Sequence, residues 1–240
     1  MASGISKGKA KKQWQFKDTG GLLRCVLEDL SYFHPQGKRT PAIIPYHWVK
    51  GTSNLAVVLG ENASGKSFVR RCVHSICKAV GVEFLGISME LRAQGGIERA
   101  FIFGDEGWQA TGVISIKTVI TGISTCRARD NAHAMFWDEP DLGLSDSAAA
   151  SVGLAIADFV RKPGKHTKAI LVATHNRHVV EQLAPLDPHY VHVGCEPTEA
   201  PATLGDWITR PVAPCRDLEK LSDTMLTRFR AIAALLRSKD

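Results

Sequence analysis

The chain has 240 residues, 44% of them apolar and 22% charged, with a formal net charge of +6. That length and apolar share suit one α/β domain with a substantial core and exclude a disordered composition. No apolar run approaches the roughly 20 residues needed to cross a bilayer, so direct membrane insertion is not expected. The six cysteines form no CxxC pair and no signal peptide is evident, so free thiols in a reducing cytoplasm are expected. The positive excess suits an acidic partner such as nucleic acid without requiring one.

Residues 1–12, MASGISKGKAKK, read as a basic flexible tail, and residues 13–240 as a single domain. Trp14 and Phe16 alternate with polar residues as on a strand, and a short apolar stretch runs from Ala42 to Trp48 across Pro45. From residue 54 the pattern sharpens. Asn54 to Leu59 reads as a buried strand, followed by a Gly-rich turn and a helix from Lys66 to about Ala79. Strands are expected over Val82 to Ile87 and Ala100 to Phe103. Val113, Ile116, Val119, Ile120 and Ile123 then recur at helical spacing. Ala134 to Trp137 and Lys168 to Ala173 read as buried strands, Ser147 to Val160 and Asn176 to Leu183 as helices, and Tyr190 to Val193 as a last strand. The alternation predicts an α/β fold: a mostly parallel sheet flanked by helices. Glu196 to Pro214 is Pro-rich and reads as a surface connection. From Asp217 an amphipathic helix follows, with Leu218, Leu221, Met225, Leu226, Phe229, Ile232, Ala233 and Leu236 on its apolar face, expected to pack on its own domain.

Three short stretches carry chemistry. The first is Gly60-Glu61-Asn62-Ala63-Ser64-Gly65-Lys66-Ser67, a full GxxxxGK[ST] match between a strand and a helix. Its glycines let backbone N–H groups face a phosphate chain, and the helix N-terminus adds a positive dipole end. Lys66 is placed to reach β- and γ-phosphates and Ser67 to bind Mg²⁺, with Phe68 next in the nucleotide-binding set. The second is Ala134-Met135-Phe136-Trp137-Asp138-Glu139, an apolar strand ending in two carboxylates. Asp138 is expected to hold Mg²⁺ and Glu139 to orient the attacking water. The third is Ala173-Thr174-His175, where His175 is placed to contact a γ-phosphate. Tyr46 or Trp48, upstream of the Gly-rich turn, is a candidate to stack on adenine. His189, His192 and Cys195 weigh little as a metal set, since two of the three alternate on a strand.

As a set, these motifs resemble the ATP-binding-cassette ATPase superfamily over about residues 54 to 195. Asp138-Glu139-Pro140-Asp141-Leu142-Gly143-Leu144-Ser145 looks like its Walker B and D-loop, and Ala173-Thr174-His175-Asn176 like its H-loop. The resemblance implies ATP and Mg²⁺ as ligands, ATP hydrolysis, and an ATP-dependent homodimer that sandwiches two nucleotides head to tail. Two elements depart from the pattern. Ser145 stands where the D-loop usually ends in Asp, and no LSGGQ signature is present. The usual interval leads instead to Gly112-Val113-Ile114-Ser115, with Ser115 expected at a helix N-terminus, facing the other subunit's γ-phosphate. The Q-loop glutamine is either Gln94 or Gln109, with Gln94 favoured by its distance from the Gly-rich turn.

Within that superfamily the form Asp-Glu-Pro-Asp, the basic balance and the short segment between Lys66 and Ser115 lean toward the branch of RecF, the structural-maintenance-of-chromosomes heads and the overcoming-lysogenization-defect ATPases. That implies action on DNA in replication, repair or recombination, or with a DNA-acting partner. The alternatives are the nucleotide-binding subunit of a transporter and an ATP-dependent regulatory module controlling a partner effector.

Overall fold

A computed structural model describes residues 14–29, 33, 34, 42, 44–88, 111–212, 214 and 216–237. The basic stretch 1–12, the strand expected over 100–103, and both Gln94 and Gln109 lie outside the described residues. The strands are β1 (Tyr46–Val49), β2 (Leu55–Leu59), β3 (Glu83–Ser88), β4 (His133–Asp138), β5 (Thr167–Ala173) and β6 (His189–Val193). The helices are α1 (Thr19–Leu23), a π-helical turn (Arg24–Asp29), α2 (Lys66–Val80), α3 (Thr111–Ala128), α4 (Asp146–Arg161), α5 (Arg177–Leu183), α6 (Leu204–Thr209) and α7 (Leu218–Arg237).

The strands form one six-stranded sheet in the order β1-β6-β2-β5-β4-β3. Every neighbour is parallel except β1, which runs antiparallel to β6 at the edge. The fold is therefore α/β, with a mixed, mostly parallel sheet flanked by helices and a C-terminal helix. Both faces of the central strands are covered, which is why they read as unbroken apolar runs. Ala56, Val58, Phe136 and Leu171 face one core with Phe68, Val69, Val73 and Ile76 of α2. Leu55, Val57, Trp137 and Val172 face the other, against Val119 of α3, Val152 and Ile156 of α4, and Val179 and Val180 of α5. Trp137, fully buried, sits edge-on to Phe159 in this second core.

Local signals set the helix limits. α2 ends at Gly81, whose φ of +74° lets its N–H close on the Cys77 carbonyl. Asn176 caps α5 by accepting from the N–H groups of His178 and Val179. α6 starts with a capping box between Thr203 and Asp206.

Several expectations need correction. Trp14 and Phe16 lie in no strand and instead pack against the first core. The connection after residue 196 contains α6, whose Trp207 is 2% exposed, so it is more than a surface link. α3 begins at Thr111, which puts Ser115 inside the helix rather than at its start. The apolar face of α7 packs only in part: Ile232 is partly buried against the first core, but Leu218 is 71% exposed and Phe229 61%. No helix among the described residues is long and apolar enough to cross a membrane.

Candidate functional site

The parallel strands β2, β5, β4 and β3 deliver their C-terminal ends side by side, and the chemistry-bearing residues stand there. The loop after β2 begins at Gly60, with φ +152°, and ends at Gly65, with φ +112°. A Cβ on Gly60 would lie 2.4 Å from Ser64 Oγ and 2.5 Å from the Val193 carbonyl, so only glycine fits that bend. Gly65 is the N-cap of α2 and brings no side-chain cap. The first N–H groups of α2 have no intrahelical acceptor, so this end of the 15-residue helix presents donors and a positive dipole end to the space above it.

Lys66 folds back over the loop, donating to the Gly60 carbonyl at 2.9 Å and the Glu61 carbonyl at 3.1 Å. Its Nζ also lies 4.0 Å from Glu139 Oε1. Burial pushes the Lys66 ammonium below its usual pKa, and the nearby carboxylates of Glu139 and Asp138 oppose that shift. Ser67, one residue on, donates to Asp138 Oδ2 at 3.5 Å.

Asp138 closes β4 and is 5% exposed. Its Oδ2 gathers the hydroxyls of Ser67 and Ser88, each at 3.5 Å, and the Arg70 guanidinium at 3.4 Å. Two hydroxyls and a carboxylate are hard oxygen donors, and that chemistry fits Mg²⁺, which keeps several of its waters and needs few protein ligands. No group of three or more His, Cys, Asp and Glu side chains suited to a metal occurs among the described residues.

Glu139 follows with φ +54°, a left-handed backbone that is costly for a side chain of this type. Its N–H donates to the Ala173 carbonyl at 2.8 Å, tying the end of β4 to the end of β5. Its carboxylate lies 3.3 Å from His175 Nδ1. The hydrogen bond from His175 holds Glu139 below the usual carboxylate range, against desolvation, and the same bond raises the His175 pKa. Thr174, fully buried and next to His175, ties the loop after β5 to the loop after β4: its hydroxyl donates to Asp141 Oδ1 at 2.7 Å and accepts from the Asn176 N–H at 2.9 Å.

A cavity of about 380 Å³ opens here, lined by Asn62–Phe68, Arg71, Ser88, Asp138 and Glu139, with Phe229, Ile232 and Ala233 of α7. Such a volume is in the range of small-molecule sites. Of the residues singled out in the sequence, Lys66, Ser67, Asp138 and Glu139 line this cavity, and His175, which does not line it, joins them through Glu139. Ser115 stands apart, 1% exposed, donating to the Leu142 carbonyl at 2.7 Å and not lining the cavity. Tyr46 and Trp48 do not line it either. The Tyr46 hydroxyl donates to the Leu27 carbonyl at 3.2 Å, and Lys50 lies over the Trp48 ring.

Sequence reading passed over Arg70 and Ser88, and quoted Thr174 and Asp141 within motifs without giving either a role. Arg70 was within reach, since it lies three residues after Ser67 and shares its face of α2. Ser88 becomes visible only once the strand order places β3 beside β4.

The chain matches no family model. Comparison with curated proteins finds no match. Among solved structures it is similar to Cdc6p from Pyrobaculum aerophilum, at 14% identity and a TM-score of 0.36, over 94% of this chain and 52% of that one. The chain therefore spans about half the length of that protein. So remote a likeness carries no functional argument, and the reading below rests on the site.

Proposed function

We propose that this protein binds ATP with Mg²⁺ at the Gly60–Ser67 loop and hydrolyses it. The observation that carries the reading is the convergence, at adjacent strand ends, of an uncapped Gly-rich helix start, a buried lysine, a serine–aspartate contact and a carboxylate–histidine pair.

On this reading the N–H groups at the start of α2 hold the phosphates, and Lys66 exchanges its carbonyl partners for β- and γ-phosphate oxygens. Ser67 and Asp138 are the residues to hold Mg²⁺, which when bound neutralises phosphate charge. Glu139, ionised at neutral pH because His175 supports its charge, accepts a hydrogen bond from the attacking water and aligns it. His175 fixes the Glu139 rotamer and offers its other ring nitrogen toward the γ-phosphate. The rate enhancement comes from positioning and charge stabilisation.

We further propose the ATP-binding-cassette mode of action, in which two copies close head to tail on two nucleotides, with output on DNA or through a DNA-acting partner. The motif set supports the former and the net charge of +6 leans toward the latter. Ser115 would serve such a sandwich by holding the Leu142 carbonyl in the loop after β4, rather than by touching phosphate itself.

The test is Glu139→Gln, which keeps the shape of the site and removes the charge that aligns water. Its solution mass is measured by light scattering with and without ATP and Mg²⁺, beside ATP binding and turnover. Tight binding, lost turnover and an ATP-dependent dimer are expected. A protein that binds ATP yet stays monomeric would refute the sandwich, and one that binds no ATP would refute the site.

A further inference from the structure

The cavity has two kinds of wall. One is the polar floor of Lys66, Ser67, Ser88, Asp138 and Glu139. The other is apolar and comes largely from the far end of the chain, through Phe229, Ile232 and Ala233 of α7. Ile232 packs against the first core and reaches the phosphate-binding loop: its Cδ1 lies 3.6 Å from where a Cβ on Gly65 would stand, beside Ile44 Cδ1 at 3.2 Å. One turn earlier, Phe229 presents a ring that is 61% exposed.

The polar floor accounts for a triphosphate and its cation but offers nothing to a base. The aromatic side chains upstream of the loop do not fill that need, because Tyr46 and Trp48 are engaged elsewhere and lie off the cavity. Phe68 lines the cavity, but it is 6% exposed and its ring packs on Phe33 at 5.4 Å between centroids. Phe229 is the exposed aromatic on the cavity wall among the described residues. Stacking on a base would shield its ring from water and, through Ile232, tie α7 to the occupied loop.

We propose that Phe229 is the base-stacking residue of the nucleotide site, with Ile232 holding α7 against the loop, so that the C-terminal helix is part of the binding site. This rests on the reading of Gly60–Ser67 as a phosphate loop. Specificity for a base then resides in α7 and affinity for phosphate in α2, on elements about 160 residues apart in the chain.

The test compares two ligands on the full-length chain by calorimetry with Mg²⁺: ATP, and inorganic tripolyphosphate, which has the phosphates without the base. Phe229→Ala is expected to weaken ATP about tenfold, in the range of one lost base–aromatic stack, and to leave tripolyphosphate within about twofold. Phe229→Trp is expected to retain ATP binding. Leu226→Ala, on the same helix but off the cavity, is expected to change neither ligand. Lys66→Ala is expected to weaken both. Four outcomes would overturn the role of α7 while leaving the loop reading intact: F229A binding ATP as wild type, F229A binding it more tightly, parallel losses for both ligands, or L226A losing as much as F229A. Wild-type protein that binds neither ligand would overturn the loop reading and this inference together.

Discussion

Thr174 offers the sharpest test of how the site is held. Its hydroxyl is fully buried, donates to Asp141 Oδ1 at 2.7 Å and accepts from the Asn176 N–H at 2.9 Å, while Asp141 is itself 7% exposed. Thr174→Val keeps the shape and removes both bonds. Losing a hydrogen bond to a charged, buried acceptor costs roughly 1.5–3 kcal/mol, and stranding the N–H adds about 1 kcal/mol. The added methyl returns up to about 1 kcal/mol of apolar burial, so the net loss is about 1.5–4 kcal/mol. Thr174→Ser keeps the oxygen and loses a methyl, at roughly 1 kcal/mol. Urea unfolding measures both. On the proposed activity, T174V is also expected to lower kcat more than it raises KM, because the bonds lost lie in the loops that carry Glu139 and His175 and not in the loop after β2. A T174V protein within about 0.5 kcal/mol of wild type, or a T174S protein as unstable as T174V, would refute the reasoning.

Other expectations follow from the same geometry. Glu139→Asn relieves a backbone at φ +54° that asparagine tolerates better, so the variant is expected to be at least as stable as wild type in urea while losing turnover; a loss above about 1 kcal/mol counts against strain there. Glu139 raises the His175 pKa, so the NMR titration of the His175 ring is expected to shift to lower pH in Glu139→Gln, and an unchanged curve would dissolve the pair. By linkage, the raised histidine contributes stability below its unfolded value, lost as pH rises through its folded value. The depressed Glu139 contributes above its own unfolded value, lost as pH falls through its folded value. The pair's window therefore lies between those two folded values. His175 is 49% exposed, so solvent screening keeps its part small. Burial pushes the Cys77 and Cys126 thiols up to about 12, so alkylation of the native protein at pH 8 is expected to spare both, and labelling in urea to reach them.

What was legible in the sequence was the centre of the sheet. β2, β4 and β5 are buried on both faces, and such strands write themselves as apolar runs that end where the chain turns to polar work. The loop after β2 was legible because its left-handed bends, with φ +152° at Gly60 and +112° at Gly65, demand glycine at fixed spacing. The edges were not. α1 contains Gly20 and Gly21, which propensity counts against a helix; it is anchored by Thr19, whose N–H donates to Asn54 Oδ1 at 2.8 Å and whose hydroxyl accepts from the Ile170 N–H at 3.0 Å. Ser115 was placed at a helix start by the interval between motifs, yet Thr111 to Ser115 all belong to α3. For α7 the apolar periodicity was seen but not that Phe229 would stay exposed while Ile232 packs, since periodicity reports an amphipathic face and not what covers it.

The sheet order explains why short, scattered motifs combine into one site. Parallel strands share a direction, so the chain leaves each of them at the same edge, and neighbours there stand about 5 Å apart. The order β2-β5-β4-β3 therefore lines up the residues that follow each strand or close it: Gly60, Thr174 with His175, Asp138 with Glu139, and Ser88. Backbone bonds lock that row, with Thr174 donating to the Val58 carbonyl at 3.2 Å and Glu139 to the Ala173 carbonyl at 2.8 Å. β1, antiparallel, enters where the others leave, so the segment before it brings Ile44 to Gly65. A charge placed anywhere in the row is felt along it: Lys66 sits between Glu139 and the loop carbonyls, and Arg70 faces the buried Asp138. An arriving polyphosphate would draw Lys66 off the carbonyls of Gly60 and Glu61, and a divalent cation would take over the role of Arg70 at Asp138. On the proposed function, binding at this edge would exchange the partners of Lys66–Glu139 and Arg70–Asp138, two opposite-charge pairs, and so would favour a ligand that brings anion and cation together over either alone.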